Sequence, residues 1–156
     1  MKTSSVLFVL ILGLATAAGA GSSATFDRIV QPYEEIRLLL LNDSNDGVAG
    51  HAARIRDAAQ TAAAGTAETE EARKLLEPIA GFAGDLAAGG EIQAQRDAFY
   101  ELSKLLVQYR AKVSGDDLPV VMYCPMVKRS WLQPAGEVGN PYHGQKMANC
   151  GYVVGE

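Results

Sequence analysis

The chain has 156 residues, with 14 basic and 18 acidic side chains, a formal charge of −4 and 48% hydrophobic residues. That length is the common size of a single domain with one core. The mild acidity, with Lys128-Arg129 the only basic pair near aromatic residues, argues against the clustered positive footprint that nucleic-acid binding needs.

Lys2, the apolar run from Val6 to Leu14 and the small-x-small site Ala18-Gly19-Ala20 make the three parts of a secretory signal. Cleavage after Ala20 is expected. It starts the mature chain at Gly21 and removes one basic residue, taking the formal charge from −4 to −5. The apolar run is too short to span a hydrocarbon core of about 30 Å, and no second run of about 20 apolar residues follows, so no membrane insertion is expected after cleavage. The new N-terminus offers no cysteine for a lipid anchor.

Ile29, Tyr33, Ile36 and Leu40 recur at steps of three and four, which predicts a first helix from Phe26 to about Leu41. Residues 42–47, Asn-Asp-Ser-Asn-Asp-Gly, are turn formers and predict a loop. Val48, Ala52, Ile55, Ala59 and Ala62 form the stripe of a second, alanine-rich helix, with Gly65 placed to end it. A third helix is expected from Thr66 or Thr69, with Glu68, Glu70 and Glu71 favoured near the positive end of its dipole. Its stripe is Leu75 or Leu76, Ile79, Phe82 or Ala83, and Leu86, and Pro78 within it predicts a kink or a break. The fourth helix, Glu91 to Val113, carries Ile92, Phe99, Leu102, Leu106, Tyr109 and Val113 on one side. Four amphipathic helices on short loops predict a mainly α fold, an up-down four-helix bundle.

The remainder, 116–156, reads as a small extended or β appendage of the same domain. Leu118 to Tyr123 is β-branched and aromatic and predicts a strand; a helical turn is expected around Gln145 to Asn149, and Tyr152 to Val154 is a second short strand that pairs back.

All the sulfur except that of Met1 lies in this tail: Met122, Cys124, Met126, Met147 and Cys150, with His143 nearby. Thiolate and thioether ligands select Cu(I), whereas Zn(II) has little use for methionine. Cys124 and Met126 share a face of an extended strand, and Met147 and Cys150 share a face of a helical turn, so the two pairs together would make a sulfur site, with His143 able to replace one ligand. Met122 is expected in the core, pointing away from Cys124. A plain disulfide between Cys124 and Cys150 is the competing reading, as is usual for two cysteines in a small secreted domain. His51 reads as a half-exposed surface histidine, and the acidic group 68–71 as a helix start rather than a catalytic set. No nucleophile elbow, phosphate-binding glycine loop or HExxH motif is present, so catalysis is not expected.

Tyr123-Cys124-Pro125-Met126, Trp131-Leu132-Gln133, Asn140-Pro141-Tyr142-His143-Gly144-Gln145-Lys146-Met147 and Cys150-Gly151 resemble the signature of a bacterial periplasmic family, domain of unknown function 3347. Its members occur alone and fused to the membrane-fusion adaptors of copper/silver efflux pumps. The resemblance implies a helical bundle in the periplasm that handles a heavy metal, copper in the first place, with Cys124, Met126, Met147 and Cys150 at the matching positions. His143 stands where an aromatic is common. With no adaptor domain in this chain, a part in efflux or copper delivery would need a partner protein.

Two readings result. One is a non-enzymatic periplasmic protein that binds Cu(I), or another soft metal, through the tail. The other is a metal-free interaction module whose tail is stapled by a Cys124–Cys150 disulfide.

Overall fold

Apolar side chains spaced at three and four along four stretches of chain bury one stripe each, and the bundle follows from pairing those stripes. The computed structural model describes residues 20–155, with side chains from Ser23 on; apart from Ala20, the expected signal segment lies outside the described residues. The helices are α1 (Ala20–Leu41), α2 (Val48–Ala64), α3 (Glu70–Ala87) and α4 (Ile92–Arg110). Consecutive helices pack on one another, as short connections require, in an up-down four-helix bundle.

Phe26, Ile29, Tyr33, Ile36 and Leu40 of α1 are fully or almost fully buried, as are Val48, Ala52, Ile55 and Ala59 of α2. In α3 the buried stripe is Ala72, Leu76, Ile79, Ala83 and Leu86, while Leu75 and Phe82 pack at its margin. Phe99, Leu102, Leu106 and Tyr109 of α4 complete the core. Tyr33 stacks on Phe99 with centroids 4.6 Å apart, and Phe26 meets Tyr109 edge-on at 5.6 Å.

Thr69 is the N-cap of α3, its hydroxyl accepting from the Ala72 N–H at 3.2 Å, with Glu70 and Glu71 in the first turn. Glu68 does not join them: it is buried and accepts a bond from the Tyr109 hydroxyl at 3.3 Å. Pro78 does not break α3. Its ring is exposed, Lys74 one turn earlier is exposed too, and burial of the stripe on both sides outweighs one lost backbone bond. Helix α4 stops at Arg110, short of the expected Val113. Two tighter backbone bonds, Lys112 to Tyr109 and Val113 to Arg110, carry Val113 into the core nonetheless.

The appendage is a three-stranded antiparallel sheet in the order β2-β1-β3, with β1 at Val120–Cys124, β2 at Arg129–Gln133 and β3 at Tyr152–Val153. Strand β2 has no counterpart among the elements expected from the sequence. It pairs with β1 in the register Val120↔Gln133 through Cys124↔Arg129, and β3 pairs with the other edge of β1 at Met122↔Val153. A short 3-10 helix, Gly144–Met147, stands where a helical turn was expected. Strand β2 rests on α4 and brings Trp131 and Leu132 into the core.

Leu102 is wholly buried at the centre of the α4 stripe. Truncation to alanine should lower stability by about 2–5 kcal/mol, measured by urea denaturation. A loss below about 0.5 kcal/mol, the range of an ordinary surface change, would show that this face of α4 is not the core face.

Candidate metal site

The tail is held to the bundle by polar groups that are buried and bonded. Arg96 of α4 donates to the carbonyl of Pro141 at 2.9 Å, to the carbonyl of Leu40 at 2.8 Å and to the carboxylate of Asp43 at 2.7 Å. Arg37 of α1 donates to the carbonyl of Gly139 at 2.6 Å and pairs with Glu34 through two nitrogens. The Tyr33 hydroxyl bonds Ser103 at 2.8 Å and accepts the Leu132 N–H at 3.1 Å. Burial pushes the ionisation of Tyr33 and of Tyr142 well above the ordinary phenol range, so both stay neutral donors.

Within the tail, the Gln133 side-chain oxygen accepts from the Trp131 ring N–H at 2.9 Å and the Gly139 N–H at 3.1 Å. Asn140 donates to the Cys150 carbonyl at 3.0 Å and accepts from the Tyr142 N–H at 2.9 Å, while the Tyr142 hydroxyl donates to the Ser130 carbonyl at 2.5 Å. Gly144 has φ +54, and a Cβ there would lie 2.0 Å from an Asp43 carboxylate oxygen. Trp131, Gln133, Asn140, Tyr142 and Gly144, all part of the tail motif, are therefore structural.

Cys124 and Cys150 are joined as a disulfide, with Cα atoms 5.5 Å apart. Cys124 is fully buried at the end of β1 and Cys150 is half-buried. In this form neither is a thiolate. Met147 is half-buried against the core three residues before Cys150, whose N–H donates to the Met147 carbonyl at 3.0 Å. Met126 sits on the β1–β2 loop and is 73% exposed. His143 is exposed and shares a surface depression with Met126, whose lining includes neither cysteine and not Met147. The structure thus separates Met126 and His143, which share a depression, from the joined Cys124 and Cys150, with Met147 meeting Cys150 through a backbone bond. Met122 is core as expected but shares the buried face of Cys124, because residues two apart on a strand point the same way.

Arg37 and Arg96, which position the tail, went unnoticed in the sequence because an arginine on a helix reads as surface. The one available signal was place: Arg37 directly follows Ile36 in the α1 stripe, and Arg96 lies three before Phe99 in that of α4. His51 is half-buried, with Nδ1 out of contact with any hydrogen-bond partner among the described residues. Among those residues, no group of three or more His, Cys, Asp or Glu is placed to hold a metal, and no helix is long and apolar enough to cross a membrane. No family model, curated protein or solved structure matches the chain.

Closing a loop across 26 residues of sequence separation should make the disulfide worth about 3.5 kcal/mol in the chain-entropy model. The Cys124→Ser, Cys150→Ser double variant should lose stability of that order in urea denaturation while keeping its far-ultraviolet dichroism. Loss of the helical signal would show that the bundle cannot form without the staple.

The hydrogen bond from Arg96, and then that from the Gln145 N–H, hold the Asp43 carboxyl below its ordinary value. A lowered folded-state value means a stabilisation that is present above the unfolded value of about 3.9 and lost as pH falls through the folded one. Stability should therefore drop on acidification below about pH 4, and Asp43→Asn should flatten that limb. Denaturation midpoints between pH 2 and 6 decide it, and an unchanged acid limb in the variant would show that the Asp43 charge does not help hold the tail to the bundle.

Proposed function

We propose that the chain is an exported periplasmic protein that binds Cu(I) and passes it on, with reduced Cys124 and Cys150 as thiolate ligands and Met147 as a neighbouring thioether. The observation that carries this reading is the juxtaposition of two cysteines 26 residues apart, with Cα atoms 5.5 Å apart, in a tail that contains all the sulfur beyond Met1. Soft donors favour Cu(I) over zinc and over hard cations. The disulfide is the oxidised, metal-free form. Opening it takes two electrons and two protons from a thiol reductant, and loading the metal then releases the thiol protons. Copper is cargo in this reading, which involves no catalysis, and its donor and acceptor are separate copper-delivery or efflux proteins.

A second reading is favoured by the disulfide itself: a metal-free interaction module whose tail is a stapled cap. Buried Cys124 and the bonds of Asn140 around Cys150 give the staple a purely structural purpose.

A Cu(I) competition titration in reductant, paired with a thiol count, separates the two. The copper reading expects one tight Cu(I) per chain, abolished in Cys124→Ser. Met147→Leu should weaken binding while changing stability by less than about 1.5 kcal/mol, since it roughly keeps volume. If the reduced wild type binds Cu(I) no better than Cys124→Ser, the staple reading stands.

A further inference from the structure

Two ligand-type side chains of the tail, Met126 and His143, are exposed. Among the described residues Met126 is the most exposed large apolar side chain, at 73%, although a flexible thioether ordinarily fills gaps in a core. Met126 and His143 are 17 positions apart in sequence, yet both line one surface depression of about 230 Å³, together with Gln93, Val127, Arg129 and Tyr142.

The backbone fixes where each side chain starts. The loop bearing Met126 is closed by the Lys128 N–H on the Cys124 carbonyl at 2.8 Å. His143 is held between Tyr142, whose N–H and hydroxyl are both bonded, and Gly144, locked at φ +54 beneath Asp43 and Arg96. One cation lines the depression. It is Arg129, whose guanidinium lies 4.8 Å from the Tyr100 centroid and 5.3 Å from that of Tyr142 and pairs with Asp97 at 2.7 Å. Gln93 also reaches Asp97, at 3.4 Å, so the Arg129 charge is partly offset by a carboxylate on the same side.

We infer that Met126 and His143 form a surface site for a soft monovalent cation, Cu(I) or Ag(I), and that this site works while the disulfide is closed. A thioether sulfur and a neutral imidazole nitrogen suit a soft ion and attract a hard one poorly. The site does not depend on the dithiol reading above, because it uses neither cysteine. It gives the oxidised protein a metal-binding capacity that a staple alone would not.

The test is titration of the exported protein, disulfide intact and without reductant, with Ag(I) as a redox-inert probe, read by NMR of methionine methyl groups and histidine ring protons. The Met126 methyl and the His143 ring should shift together and saturate at one ion, while Met122 and Met147 stay in place. Met126→Leu and His143→Ala should each weaken Ag(I) binding by about 100-fold, the lower end of what joining two binding groups confers. Both side chains are exposed, so both variants should keep the wild-type dichroism. The inference is overturned if Met126 shifts equally in His143→Ala, which would mean independent single contacts, or if Ag(I) moves Met147 and leaves Met126 unmoved. Failure of Cu(I) binding in reductant would remove the dithiol reading and leave this result intact.

Discussion

One buried guanidinium connects three parts of the molecule that are far apart in sequence. Arg96 bonds the last turn of α1 at Leu40, the loop at Asp43 and the tail at Pro141, over separations of 56, 53 and 45 residues. Placing an arginine in a protein interior is unfavourable unless its donors are satisfied, and removing one side of such a set leaves the others unpaired. The tail therefore has one place to dock. Gly144 follows from this: the backbone passes so close that a Cβ would lie 2.6 Å from Arg96 Nη2 as well as on the Asp43 carboxylate. Arg37 repeats the arrangement one helix away on the carbonyl of Gly139, where a Cβ would again meet the guanidinium, at 2.2 Å.

This docking changes what the tail motif means. Its Trp, Gln, Asn, Tyr and Gly residues look like a binding signature when read in line, but each holds the tail together. Trp131 lies where a Cβ on Gly151 would be 2.6 Å from its ring, and Asn140 and Tyr142 bond the backbone of the same tail. A resemblance that rests on these residues speaks first to how the tail folds. What remains after they are subtracted is the set of candidate ligands: the cysteine pair, Met147, and Met126 with His143.

The helices were legible because their information is local. A stripe at steps of three and four, such as Phe99, Leu102 and Leu106, states its own burial, and Thr69 with Glu70 and Glu71 states a helix start. Strand β2 was not legible. Arg129 to Gln133 is intermediate twice and then buried three times running, without the alternation that marks a half-buried strand. The turn before it also lacks the usual residues, placing Lys128 at φ 55 where glycine or asparagine would have announced a reversal. The two buried arginines and Glu68 escaped for a related reason. Arg37 has one local partner in Glu34, but the bonds that tie these three side chains to the rest of the molecule reach 41 to 102 residues away, beyond any window along the chain. The pairing of Cys124 with Cys150 was open in the sequence for the same reason, since both a staple and a metal site require the two to meet.

The order of strengths among the tail's attachments bears on which of those two roles the cysteines can take. Were the disulfide the tail's sole anchor, reduction would release the chain, and two thiolates would have to be gathered again at the full entropic cost of closing the loop. The attachments are redundant instead. Cys124 ends a strand paired along its length with β2, which Tyr33 holds through the Leu132 N–H, and Cys150 is fixed by Asn140 and by its own bond to the Met147 carbonyl. Arg96 and Arg37 hold the intervening chain to the bundle without involving sulfur. Opening the bond thus leaves the thiols as neighbours, with Met147 beside one of them. Such preorganisation is what a metal needs from a site, because the ordering cost is met by the fold before the ion arrives. The same redundancy means that a purely structural disulfide would add stability to a tail already docked by other bonds, so a closed staple is not required to explain why the tail stays in place.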